Sequence, residues 1–186
     1  MTGIVLIGGR SSRFGSDKVI SSFQGKSLVD HVVDVITPLF DEVILIGNRR
    51  PGLEAHRVAE DIFPGYGPLG GIYTALTVAG TPQCFVFAAD MPRLSREFIS
   101  YMISRSGEHD VVIPVWSKGR EPLHAIYHRR VLPVVKDLLD RGERKIFTLL
   151  DRVNTLRIPD ETIRAYTDPE ITFANINTIL DRDRLS

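Results

Sequence analysis

The segment Leu6-Ile7-Gly8-Gly9-Arg10-Ser11-Ser12-Arg13-Phe14-Gly15-Ser16-Asp17-Lys18 directly follows the apolar run that opens the chain. Gly8 and Gly9 lack Cβ atoms, so backbone N–H groups there can converge on phosphate oxygens. Arg13 and Lys18 bring mobile positive charge to the same place, which suits a triphosphate. A solvated polar turn would use the same residue types; the full spacing, placed after a strand, favours the phosphate reading. Gly25-Lys26-Ser27 imitates the end of a Walker A loop, but Ile20 stands where that motif's first glycine belongs. Lys26 reads more simply as a hairpin-turn lysine.

A second glycine pattern competes with the first. In Asp61-Ile62-Phe63-Pro64-Gly65-Tyr66-Gly67-Pro68-Leu69-Gly70-Gly71-Ile72, the glycines at 65, 67 and 70 match the dinucleotide fingerprint. Asp90 lies about 20 residues further on at a strand end, as that fingerprint requires. A Rossmann NAD-binding protein is therefore a rival reading. Against it stand Pro68 inside the tight turn and a short preceding strand interrupted by Glu60 and Asp61. The rival also leaves the loop from Gly8 to Lys18 without a purpose.

Three further places hold residues with chemistry. Asp90 ends the apolar run Phe85 to Ala89, and a carboxylate there is a hard ligand for Mg²⁺ bridging to phosphates. The structural alternative is an aspartate that caps loop N–H groups. Asn175 and Asn177 occupy alternate positions of a short extended segment, so both amides face one way and can meet a polar heterocycle or phosphate. The alternative is that they turn the chain into a last helix. His31, His56, His109 and His128 show no zinc-ligand spacing. Cys84, the single cysteine, lies in an apolar run and reads as a buried hydrophobe, not a catalytic thiol.

Taken together, these motifs resemble a known family. Leu-x-Gly-Gly-x-Ser-x-Arg-x-Gly-x-Asp-Lys is similar to the signature loop of nucleotidyltransferases, most closely the molybdenum cofactor guanylyltransferases. The stretch from Asp61 through Pro-Gly-x-Gly-Pro-Leu-x-Gly-Ile, Asp90 followed by x-Pro, Pro122-Leu123-x-Ala125-x-Tyr127 and Phe173-x-Asn175-x-Asn177-Thr178 follow in that family's order. The resemblance is weakest between Val131 and Thr172. It implies that Leu6, Ile7, Gly8, Gly9, Asn48 and Asp61 border the nucleotide, that Lys18 holds its phosphates, and that Asp90 holds the metal. On the acceptor side it implies Asn175, Asn177 and His124, although Asn48 also reads as a turn cap and His124 as a strand-surface histidine. Ile7 stands where the family commonly has Ala, which would crowd the nucleotide slightly. Ile179-Leu180-Asp181 replaces the family's Pro and acidic residues after the last motif.

The elements that must position these groups alternate β-branched runs with amphipathic stretches, the pattern of a sheet with helices on its faces. Strands are expected at Gly3 to Ile7, Glu42 to Ile46 and Phe85 to Ala89, with a weaker one at His56 to Ala59. The run at Phe85, apolar on both faces, is expected at the centre of a mainly parallel sheet. Ser27 reads as an N-cap, with Leu28, Val32, Val35, Ile36 and Leu39 at helical spacing behind it. Further helices are expected from Leu69 to Ala79, from Ser95 to near Gly107, and from Val131 to Leu139 with Pro133 in its first turn. Asp110 to Val115 and Leu123 to Tyr127 read as strands joined by Ser117-Lys118-Gly119-Arg120. The expectation is a three-layer α/β/α fold, Rossmann-like, in one domain over 1–186. Its nucleotide-binding part covers about residues 1–107 and its acceptor part about residues 108–186.

The 186 residues carry 23 Lys and Arg against 23 Asp and Glu, a formal net charge of zero, which argues against a nucleic-acid-binding protein. No apolar run approaches a membrane span and no signal peptide opens the chain, so a cytoplasmic location is expected. The resemblance implies GTP, Mg²⁺ and molybdopterin as ligands, with cofactor-insertion proteins and molybdoenzymes as further partners. Arg13, Lys18 and Asp90 would then carry the charge neutralisation that drives GMP transfer. A cytidylyltransferase or sugar-phosphate nucleotidyltransferase on the same scaffold is the enzymatic alternative. A nucleotide-binding protein without turnover is the third reading, disfavoured by the presence of Lys18 and Asp90.

Overall fold

The structure is a computed structural model of the chain and describes residues 1–8 and 22–176. Its centre is an eight-stranded sheet. The first half of the chain supplies β1 (Thr2–Leu6), a separate hairpin β2 (Ser22–Phe23) and β3 (Lys26–Ser27), then α1 (Leu28–Ile36), β4 (Glu42–Ile46), β5 (Val58–Ala59), α2 (Gly67–Val78), β6 (Gln83–Ala88) and α3 (Arg96–Ser104). The second half adds β7 (Val111–Trp116), β8 (Gly119–Arg120), β9 (His124–His128), α4 (Leu132–Asp140), α5 (Ile146–Leu150), β10 (Thr155–Pro159), α6 (Asp160–Arg164) and α7 (Pro169–Thr172).

The strand order is β10-β7-β9-β6-β1-β4-β5, with β8 paired to β7. β1 runs parallel to both of its neighbours: Ile4 is opposite Ile44 of β4 on one side and Val86 of β6 on the other. β9 is antiparallel to both β6 and β7, and β10 returns parallel to β7. The mostly parallel sheet expected from the sequence is therefore present, with β9 antiparallel between β6 and β7 and the two-residue β8 antiparallel to β7.

Side-chain alternation divides the core into two layers. Ile4, Ile44, Cys84, Val86, Ala125 and Tyr127 pack with α2, α4 and α5 on one face. Val5, Leu45, Phe85, Phe87 and Ile126 pack with α1, α3 and α6 on the other. Burial on both faces explains why β1 and β6 read as unbroken apolar runs. Burial also pushes the Cys84 thiol up to about 12, so it is a packed hydrophobe rather than a nucleophile.

The helices start where their caps place them. The Ser27 hydroxyl accepts from the Asp30 N–H at 3.1 Å and donates to Asp30 Oδ2 at 2.6 Å. Asp30 Oδ1 also takes His56 Nε2 at 2.9 Å, tying the loop after β4 to α1. Ser95 caps α3 by accepting the Phe98 N–H. Pro68 and Pro133 both fall in first turns, where a missing N–H costs no helix bond. Lys26 lies in the β2–β3 hairpin, paired with Asp34 at 2.6 Å, as expected for a hairpin lysine. No described helix is long and apolar enough to cross a membrane.

Candidate active site

From β1 the chain moves through α1 to β4 on one side, and later through α2 to β6 on the other. The strand order thus reverses at β1, the switch point where open α/β sheets bind ligands beyond their strand ends. The carboxyl ends of β1, β4 and β6 are stitched together there. The Ile7 N–H donates to Ile46 O at 2.9 Å, Gly47 N–H to Ala59 O at 3.0 Å, and Ala89 N–H to Leu6 O at 3.3 Å. Leu6 to Gly8, Gly47 to Arg50, and Ala89 to Asp90 therefore share one edge.

At that edge Leu6 and Ile7 offer backbone, not side chains. Leu6 packs against α2, where Gly71 permits the approach: a Cβ on Gly71 would stand 3.0 Å from Leu6 Cδ2. Ile7 is buried in the opposite core layer, so it does not crowd the crevice, contrary to the expectation from its size. Gly47 takes up the extra bulk, because a Cβ there would stand 2.9 Å from Ile7 Cγ1. Its φ of +146° adds a second reason for glycine. Gly8 is exposed, and beyond it Gly9, Arg13 and Lys18 lie outside the described residues.

Asn48 is exposed just past β4. Arg50, which the sequence reading passed over, reaches back to the same edge: its Nη2 donates to Ile7 O at 2.9 Å and its Nε to Asn48 O at 3.3 Å. The signal available for it was only its place, four positions past the last residue of a strand. Asp61 follows β5. Its Oδ1 accepts from the Phe63 N–H at 3.1 Å and from the Thr74 hydroxyl at 2.8 Å.

The glycines of the second pattern shape a turn. Gly65 and Gly67 have φ of +86° and +63°, and a Cβ on Gly70 would stand 2.7 Å from Phe63 O. This turn follows the two-residue edge strand β5, not the central strand that a Rossmann dinucleotide site uses.

Asp90 lies two residues past β6, in the turn that follows it, and is partly buried. The backbone of the acceptor-side segment meets it directly: the Ile176 N–H donates to Asp90 O at 2.9 Å. Ile176 is buried against Phe23 and Leu28, while Asn175 beside it is exposed. The structure thus brings Asn175 to the edge that carries Asp90; Asn177 lies outside the described residues. Among the described residues no three His, Cys, Asp or Glu side chains gather into a metal cage. A single carboxylate at the crevice edge nonetheless suits Mg²⁺, which keeps water and phosphate oxygens for most of its shell.

Among the described candidates, His124 is the one that lies away from this edge. It is fully buried, ringed by Phe85, Phe87, Phe98 and Phe173 with centroids 5.2–5.6 Å away. Among the described residues neither ring nitrogen has a hydrogen-bond partner. Its side chain faces α3 instead of an acceptor surface, and burial pushes its pKa down to about 3. It is a core histidine, not a strand-surface one.

The sequence profile of the MobA-like NTP transferase domain matches residues 3–155. The chain is 34% identical over 182 residues to a probable molybdenum cofactor guanylyltransferase from Pelotomaculum thermopropionicum, covering 97% of this chain and 89% of that protein. The chain belongs to the molybdenum cofactor guanylyltransferase family. A Bacillus cereus protein of the same description is 35% identical over 184 residues, covering 95% of this chain and 90% of its own. The molybdopterin-guanine dinucleotide biosynthesis protein A of Archaeoglobus fulgidus has the same fold at a TM-score of 0.85 and 29% identity, covering 100% of this chain and 96% of that one. Membership of this nucleotidyltransferase family replaces the NAD-binding reading, and it agrees with a crevice built at the β1 switch point.

Proposed function

We propose that this guanylyltransferase-family chain transfers GMP from GTP to the terminal phosphate of molybdopterin. An oxygen of the acceptor phosphate forms a bond to the α-phosphorus of GTP as the bond from that phosphorus to the bridging oxygen breaks. The electron pair leaves with pyrophosphate. The observation that carries the reading is the Ile176–Asp90 backbone bond, which sets an exposed amide beside the strand end where nucleotide phosphates gather.

The protein's part is placement and charge. Gly8 and Gly9 offer backbone N–H groups to the phosphates, Arg13 and Lys18 neutralise them, and Asn48 and Asp61 border the nucleoside. Asp90 holds the Mg²⁺, which when bound offsets charge on the triphosphate. Asn175 and Asn177 hold the acceptor so that its phosphate is in line with the bond that breaks. Delivery of the product to cofactor-insertion proteins and molybdoenzymes belongs to the same proposal, as does a single-domain organisation.

The test is a nucleotide panel with purified protein, Mg²⁺ and molybdopterin, following pyrophosphate release. GTP is expected to support turnover and to bind more tightly than ATP or CTP. Tighter binding of CTP would replace this reading with a cytidylyltransferase.

A further inference from the structure

Thr74 sits in the middle of α2 and is fully buried. A threonine inside a helix commonly turns its hydroxyl to the carbonyl one turn back, and Gly70 O lies at 3.1 Å. Two other polar groups are closer: Asp61 Oδ1 at 2.8 Å and the Ile62 N–H at 2.9 Å. The Ile62 N–H can only donate, so the hydroxyl oxygen accepts there. An ionised carboxylate can only accept, so the hydroxyl proton points to Asp61. Turning it to Gly70 instead would set two oxygen lone pairs against each other.

Asp61 Oδ1 therefore takes two donors, the Thr74 hydroxyl and the Phe63 N–H. No described residue donates to Oδ2. One oxygen fixes the side chain and the other is left for a ligand donor. Gly70 makes the arrangement possible, since a side chain there would press on Phe63 O and move the turn at 61–63 away from α2. We infer that Thr74 is a positioning residue for the nucleotide, holding Asp61 as a one-oxygen acceptor at the crevice. The inference rests on the reading that Asp61 contacts the nucleotide.

Thr74→Val keeps the branched shape and removes the hydroxyl. GTP affinity is expected to fall roughly tenfold, the scale of one charge-assisted hydrogen bond. The kcat at saturating GTP should change less than about twofold, because Asp61 is not at the reacting phosphates. Thr74→Ser should restore affinity. The double variant Thr74→Val with Asp61→Asn should bind GTP no worse than Asp61→Asn alone.

A Thr74→Val protein that binds GTP normally and only melts lower would overturn the inference while leaving the Asp61 reading intact, provided Asp61→Asn is weakened. Additive losses in the double variant would overturn it too. Normal GTP binding by Asp61→Asn would remove the Asp61 reading and this inference with it. Should Thr74→Val not fold, Thr74→Ala removes the same hydroxyl without adding a methyl group and carries the same expectations.

Discussion

The N–H of Ile176 and the carbonyl of Asp90 form a 2.9 Å hydrogen bond between chain segments that lie far apart in sequence. Being backbone to backbone, it holds the segment of Asn175 in place whatever the neighbouring side chains are. The Ile176 side chain adds the second anchor, packed on Phe23 and Leu28. This separates holding the segment from contacting the acceptor. Ile176→Ala should cost about 2–4 kcal/mol in stability, the usual range for a buried isoleucine, and raise the acceptor KM. Asn175→Ala should raise the acceptor KM with the melting temperature unchanged, because the residue is exposed. GTP affinity should stay near the parent value for Asn175→Ala. Steady-state kinetics in both substrates with a melting curve for each variant decide this. A comparable loss of GTP binding in Asn175→Ala would assign the segment to the nucleotide site instead.

Asp90 should matter more for turnover than for folding. It lies two residues past β6, whose residues Cys84 to Ala88 are all buried, so its side chain leaves the core at the crevice edge. Asp90→Asn keeps size and hydrogen-bonding reach but removes the charge that Mg²⁺ needs. Transfer should fall by at least roughly 100-fold, the scale of losing one electrostatic partner of the transition state. Activity across a Mg²⁺ titration, paired with a melting curve, separates the two roles. Near-normal turnover with a collapsed melting temperature would make Asp90 a loop cap.

Gly47→Ala should damage the nucleotide wall through Ile7. The new Cβ would stand 2.9 Å from Ile7 Cγ1 and 3.0 Å from the Gly8 nitrogen, at a φ that side chains rarely adopt. The expected stability loss is about 1–3 kcal/mol, with weaker GTP binding. Adding Ile7→Ala should recover part of the stability but little of the binding, because the contact with the Gly8 nitrogen persists. Calorimetry on the single and double variants tests it. Full recovery of GTP affinity would show that only the side-chain clash mattered.

What the sequence made legible follows from how each feature is encoded. β1, β4 and β6 are apolar runs that run into Gly or Asp, so Asp90 could be put beyond a strand end, whereas Asn48 and Asp61 stood out only through the resemblance to the family. Ser27 and Ser95 are local caps, readable within a few positions. β10, α5, α6 and α7 span only four or five residues each, too short for periodicity to register. Thr74 and Arg50 act on groups 13 and 43 positions away, a relationship that only the fold creates. His124 was misread for a related reason. Alternation along β9 opposes it to Ala125, but nothing local says that α3 and Phe173 cover the face it takes.

That covered histidine carries the last prediction. Burial alone holds the His124 pKa near 3, against an ordinary value of 6.5, so the imidazole is neutral in the folded protein. The unfolded chain takes up a proton below the ordinary value and the folded chain does not. Stability therefore falls as pH drops from 6.5 toward 3, by about 1 kcal/mol per pH unit from this residue, and is unaffected by it above 6.5. His124→Phe fills the same aromatic cage without the two nitrogens that no described residue partners, whose burial costs free energy at every pH. The variant should melt a few degrees higher at neutral pH, and its advantage should widen at pH 5. GMP transfer at neutral pH should match the parent, since the ring does not reach the crevice. Melting curves at several pH values and one activity assay suffice. A less stable variant whose acceptor KM also rises would show that a ring nitrogen has a partner after all, and would return His124 to the acceptor side.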